Sequence, residues 1–241
     1  MPRRKQVLGV VLLEADHAVE TLDLDDPFSW EPPPGLAPGF FGHPAAWPLP
    51  TLFAIAANAT AAAAAAGDPD AMRGVVDAVA RLDGRCDMIV GSCGFFAEAW
   101  DLMPQPPATP TLLSGFDLLD DALRTTSRDV AVLSFSEPPA ERLLASHPDR
   151  ARVRVIGLVP AGDWPQVGRL DYATNPHWTL AGLESGLREV LEAETRPDGK
   201  LTNVGGVVIE CTVLPQFRGV IREYTPAPIF DAGAAAIALL A

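Results

Sequence analysis

Apolar residues along this chain fall into two alternating patterns. Short apolar runs read as buried strands: Val7–Leu13, Leu52–Ala57, Met88–Val90, Thr109–Leu113, Val130–Ser134, Val153–Val159 and Val207–Ile209. Between them lie segments with helical character. Ala59–Ala66 has high helix propensity and stops at Gly67. The segment "GDPDAMRGVVDAVARL" carries a start signal, Asp68 as N-cap with Pro69 at the first helical position. Its Met72, Val75, Val76 and Val79 recur at helical spacing. "SEPPAERLLASHP" and Thr179–Ala193 read as further helices, and a turn and short helix come after Val207–Ile209. Strands alternating with helices predict an α/β protein with mostly parallel sheets. Two loops interrupt the alternation. Asp16 to Pro50 is rich in proline and aromatic residues, as lids and binding loops often are, and Pro160–Pro176 is rich in Gly, Pro and Trp.

The pattern also repeats. An apolar strand ends in "GSCGFF" around Cys93, and another ends in "IECTVLP" around Cys211. The two cysteines are 118 residues apart, about half of the 241-residue chain. That spacing predicts two similar lobes, each offering a thiol from the carboxyl end of a strand, the edge where open α/β sheets bind ligands. A cysteine just before a helix lies near unpaired backbone N–H groups and the positive end of the helix dipole, which favours thiolate. The same N–H groups suit a carboxylate or a developing oxyanion. Two thiols facing each other across a cleft can remove a proton from one face of a carbon and deliver one to the other. The competing reading is that both are core residues, since free cysteine is among the most buried residue types. Cys86 fits that reading, because no helix start comes after it.

Composition narrows the classes. Hydrophobic residues make up 48% of the chain, enough for a folded globule with a large core. The formal charge of −13 argues against nucleic acid or an anionic membrane as partner, though not against an anionic small-molecule substrate. The apolar run Val7–Leu13 is too short for a membrane span and is followed by Glu14 and Asp16, so a strand is expected there rather than a signal segment. Three cysteines without framework spacing point to free thiols and a reducing, cytoplasmic setting. Neither Lys5 nor Lys200 stands where a Schiff base would be buried, there is no glycine-rich phosphate loop, and the four histidines form no zinc pattern, so no cofactor and no metal are expected. The acidic run at 23–26 lacks ordered ligand spacing and reads as a solvated loop.

"GSCGFF" together with "IECTVLP" resembles the aspartate/glutamate racemase superfamily, which also holds hydantoin racemases, arylmalonate decarboxylases and maleate isomerases. "GHPAAWPLP" at 42–50 is similar to a Gly-Asn-Pro-Ala-Thr-Trp-Pro-like segment in one branch of racemase-like proteins, and "ECT" followed by proline matches that branch too. The resemblance implies two Rossmann-like lobes related by a pseudo-twofold axis with the site in the cleft between them. It implies a division into 1–114 plus 215–241 against 115–214. On the matching positions, Cys93 and Cys211 correspond to the two catalytic cysteines, and Gly94 and Thr212 to positions that hold the substrate carboxylate, with Ser92 beside them. Ser134 and Ser136 correspond to a ligand-contacting Thr/Ser pair, with an ordinary strand-end turn as the alternative. Ser114, His43 and Trp47 are further candidates to line the site, although His43 in the proline-rich loop reads more readily as an inert surface or turn residue.

Several departures bear on substrate. Glu14 and Asp16 stand without the Ser-Gly found after the first strand in amino-acid racemases. Gly94 and Phe95 replace Asn-Thr after the first cysteine, and Val213 replaces the His that aids the second. With Phe95, Phe96 and Trp47 suggesting an apolar pocket, the resemblance does not carry aspartate or glutamate over as the substrate. Glu210 could tune the Cys211 thiol, or point to the opposite face and pair with an arginine, because strand residues alternate. The leading expectation is a cofactor-independent racemase or epimerase acting on a small carboxylate. Alternatives are a decarboxylase or cis-trans isomerase of a small (di)carboxylic acid on the same fold, and a non-catalytic two-lobed binding protein. A homodimer is compatible with all three.

Overall fold

The computed structural model describes residues 5–14, 32, 38–158 and 179–241. Most of the 16–50 loop, the acidic run at 23–26, Asp16, Val159 and the 160–176 loop lie outside the described residues.

Among the described residues eight strands form two four-stranded sheets. The first contains β1 (Leu8–Leu12), β2 (Thr51–Ile55), β3 (Met88–Gly91) and β4 (Thr111–Leu112) in the order β2-β1-β3-β4. The second contains β5 (Val130–Ser134), β6 (Val153–Gly157), β7 (Gly206–Ile209) and β8 (Ile229–Asp231) in the order β6-β5-β7-β8. All neighbouring strands are parallel. The two orders are the same pattern written twice. Register repeats as well, Val11 opposite Gly91 in one sheet and Leu133 opposite Ile209 in the other. The α/β architecture expected from the alternation, doubled as the two cysteine contexts suggest, is the architecture found.

Parallel sheets bury both faces, which is why β1, β3, β5 and β7 are apolar almost throughout and fully buried. Helix α1 (Ala61–Ala66) and α2 (Pro69–Leu82) cover one face of the first sheet, packing Met72, Val75, Val79 and Leu82 against Val11, Leu52 and Ile89. Asp68 caps α2 as expected, its Oδ1 accepting from the Asp70 and Ala71 N–H groups at 2.8 and 3.2 Å. Gly67 ends α1 at φ +68°, a left-handed cap that glycine adopts without penalty. In the second lobe, α3 (Leu119–Arg124) and α4 (Glu137–Leu144) cover one face, and α5 (Leu180–Glu194) and α6 (Arg218–Tyr224) the other.

The chain exchanges cover between the lobes. After β4 it crosses to the second sheet, where α3 packs Leu119, Ala122 and Leu123 on Val130, Val132 and Val208. After β8 it crosses back, where α7 (Ala232–Leu240) packs Ala236 and Leu240 on Leu8, Val10, Met88 and Val90 of the first sheet. The C-terminal stretch is therefore shared, its strand in the second sheet and its helix on the first. Among the described residues no helix is long and apolar enough to cross a membrane.

Candidate active site at the junction of the lobes

β3 and β7 end at equivalent steps. The next residues, Ser92 and Glu210, donate their N–H groups to the carbonyls of Val11 and Leu133 on the neighbouring strands, both at 2.9 Å. Their side chains do matching work. Ser92 Oγ accepts from the Leu13 N–H at 3.1 Å, and Glu210 Oε2 accepts from the Phe135 N–H at 3.2 Å. Cys93 and Cys211 come next, each opening a tight turn: Phe96 N–H donates to the Cys93 carbonyl at 3.1 Å and Leu214 N–H to the Cys211 carbonyl at 3.0 Å. Repetition of "apolar strand, polar residue, Cys" thus produces the same local geometry twice.

The two turns touch. Thr212 Oγ1 donates a hydrogen bond to the Ser92 carbonyl, joining the second motif to the first. Gly94 lies against Glu210 so closely that a Cβ there would fall 2.0 Å from Glu210 Oε1 and 2.4 Å from its carbonyl oxygen. Gly115 approaches in the same way, a Cβ meeting the Ile209 carbonyl at 2.0 Å. Glycine at 94 leaves free the space that the Glu210 carboxylate fills.

Electrostatics correct one expectation. Helix-start N–H groups do act on the thiols, those of Phe95 and Phe96 on Cys93 and those of Val213 and Leu214 on Cys211. Their effect is outweighed. Burial, with the Glu210 charge adding to it, pushes the Cys93 thiol up to about 12. Cys211, 5% exposed, is raised well above the ordinary thiol value by burial first and by Glu210 second. Cys93 moreover opens a 3₁₀ helix, Gly94–Leu102, and Cys211 is separated from α6 by a turn and the 3₁₀ turn Pro215–Phe217, so neither thiol sits on a full α-helix dipole. Glu210 itself, 1% exposed, is raised to about 7 by burial, against the pull of the Ser134 hydroxyl and the Phe135 N–H.

The remaining predicted residues divide. Ser134 is fully buried, its hydroxyl reaching the Ser136 carbonyl at 3.0 Å and the Glu210 carboxyl. Ser136 is half-buried and makes no side-chain cap to α4. Ser114 is fully buried as the N-cap of a 3₁₀ turn, accepting from Phe116 N–H at 3.1 Å, with Asp117 completing a capping box. His43 caps another short turn, its Nδ1 accepting from Ala45 N–H at 3.0 Å. Trp47 is a core residue beside α7, with Nε1 donating to the Phe41 carbonyl at 2.9 Å and its ring edge-on to Phe41. The structure thus brings Ser92, Cys93, Gly94, Ser134, Cys211 and Thr212 together, while Ser114, His43 and Trp47 are engaged in turns and packing. Glu210 is the residue whose importance the sequence understated. It faces inward and, among the described residues, pairs with no arginine. The signal was a carboxylate set directly between a buried apolar strand and a cysteine.

No family model matches the sequence, and a search of curated proteins finds no match. Among solved structures the chain is similar to a glutamate racemase from Aquifex pyrophilus, at 14% identity and TM-score 0.52, covering 97% of this chain and 82% of that one. It is similar to an aspartate racemase from Picrophilus torridus at 12% identity and TM-score 0.52, covering 98% and 92%. A glycine-to-cysteine variant of arylmalonate decarboxylase matches at 14% identity and TM-score 0.50, covering 96% and 90%. These likenesses establish the fold, the two-lobed α/β fold that the resemblance implied.

Proposed function

We propose that this protein is a cofactor-independent racemase or epimerase that inverts a carbon next to a carboxylate or carbonyl group, with Cys93 and Cys211 as the paired acid and base. The observation that carries the reading is that the two cysteines stand at equivalent steps of β3 and β7, in turns joined by the Thr212–Ser92 hydrogen bond. One thiol from each lobe is the arrangement that inversion needs, since proton removal and delivery occur on opposite faces. The backbone N–H groups after each cysteine suit a substrate carboxylate or the negative charge that develops when the neighbouring carbon loses its proton. Phe95 and Phe96, both buried beside Cys93, keep the surroundings apolar and strengthen those contacts.

The test is isotopic. Chiral 2-substituted acids and hydantoins are incubated in D₂O with the wild type, Cys93→Ala and Cys211→Ala, and exchange of the proton on the chiral carbon is followed together with optical purity. Inversion with uptake of one solvent deuterium, abolished by either substitution, supports the two-thiol reaction. Release of carbon dioxide from a malonate, or conversion of a cis to a trans diacid, would assign one of the other chemistries of this fold. No exchange with any acid would leave the protein a two-lobed binding protein.

A further inference from the structure

Glu210 is more than its local structural job requires. Its Oε2 holds the Phe135 N–H, and the equivalent residue Ser92 holds the equivalent Leu13 N–H with a neutral hydroxyl. A serine therefore suffices for that bond. Placing a carboxylate at a site that is 1% exposed is strongly unfavourable unless a cation compensates it. Among the described residues no lysine or arginine does so. Among the described residues the titratable groups that face it are the two thiols, and its charge raises both. Its second oxygen, Oε1, lies over Gly94, where the missing side chain leaves it directly beside the Cys93 turn.

We propose, resting on the two-thiol reading above, that Glu210 is a third acid–base group that shares one exchangeable negative charge with Cys93 and Cys211, so that ionisation of Glu210 and of a thiol exclude each other. Once the site ionises, the charge sits on Glu210 and both sulfurs carry protons. Activation moves one proton within the cluster: an S–H bond breaks, its electron pair stays on sulfur, and an O–H bond forms on Glu210. The net charge of the site does not change, so no second buried anion is created. Glu210 also resets the pair. After an inversion the thiol that took the substrate proton is protonated and its partner is the thiolate. Glu210 gives its proton to that thiolate and takes one from the other thiol when the next cycle begins, returning the site to its starting form. The raised value of Glu210, about 7, matches a group that holds and releases a proton at neutral pH.

The experiment needs no substrate. Alkylation of Cys93 and Cys211 by iodoacetamide is followed separately, by peptide mass spectrometry, as a function of pH in the wild type and in Glu210→Gln. Since only thiolate reacts, each wild-type rate rises about tenfold per pH unit up to about 7 and then levels, because ionised Glu210 suppresses both thiols. In Glu210→Gln the levelling disappears and the rates keep climbing, exceeding the wild type at pH 9 by about tenfold or more. Wild-type rates that climb without a bend through pH 7–9, or a bend that survives in Glu210→Gln, overturn the proposal. Should the variant not fold, carbon-13 NMR of glutamate-labelled wild type decides instead: one buried carboxyl must titrate at the pH of the bend and move when the thiols are alkylated. A missing bend with intact deuterium exchange removes only the role of Glu210. A bend without exchange on any acid removes only the racemase reading.

Discussion

Ser92 and Glu210 occupy the same step of equivalent strands, yet only one of them ionises, and the difference has a thermodynamic signature. The carboxyl of Glu210 is raised from 4.5 to about 7 by burial. Between those values the folded protein keeps a proton that the unfolded chain has lost, so stability falls as pH rises through this window and stays lower above it. At 1.36 kcal/mol per unit the loss amounts to about 3 kcal/mol. Glu210→Gln removes the effect. Urea denaturation is expected to show the variant gaining about 3 kcal/mol on the wild type between pH 4.5 and pH 8. A difference that does not change with pH would mean that Glu210 ionises as readily inside the fold as in the unfolded chain. The thiols were legible in the sequence because their context is repeated. The orientation of Glu210 was not, since a strand-end residue can face either way, and neither was the contact with Gly94, a partner 116 positions away. The sequence also pointed to acidic thiols at helix starts, because it displays the dipole but not the depth of burial.

At the scale of elements, long apolar runs were legible and short edges were not. The run 109–113 yields only the two-residue β4, because the flanking backbone is claimed by side chains. Thr109 N–H goes to Asp83 at 2.8 Å and Leu113 N–H to Asp117 at 2.7 Å. Strand β8 has three residues and α7 is almost all alanine and aliphatic side chains, so neither shows the periodicity by which elements are found in sequence. One tie between elements reaches across the lobes. Arg142 of α4 donates to Glu98, on the 3₁₀ helix after Cys93, at 2.6 Å, and to the Ala65 carbonyl at the end of α1 at 3.0 Å. The guanidinium is nearly half exposed, so the pair is screened by solvent. A double-mutant cycle of Arg142→Ala with Glu98→Gln is expected to give a coupling of about 0.5 kcal/mol that shrinks with added salt. A coupling of several kcal/mol would instead identify this tie as a main fastener between the lobes.

The whole molecule is two copies of one plan that cannot be separated along the chain, because each edge strand sends its next helix to the other sheet. Asp231 is the joint of the second exchange. It ends β8, caps α7 by accepting from Ala234 N–H at 2.7 Å, and forms an ion pair with Arg218 of α6 while only 3% exposed. Asp231→Ala removes the cap and leaves Arg218 without its carboxylate, an expected loss of about 2–3 kcal/mol. The location of the damage tests the architecture. Asp231 belongs to the second sheet, yet α7 shields Leu8, Val10, Met88 and Val90 of the first. Native-state hydrogen exchange should therefore show the largest loss of protection at the amides of β1 and β3, with β5 and β6 less affected. Confinement of the loss to β7 and β8 would mean that α7 holds its place without the cap. Because Cys93 stands at the end of β3, loosening of α7 should also raise its alkylation rate relative to that of Cys211, linking a strand edge of one lobe to the thiol of the other.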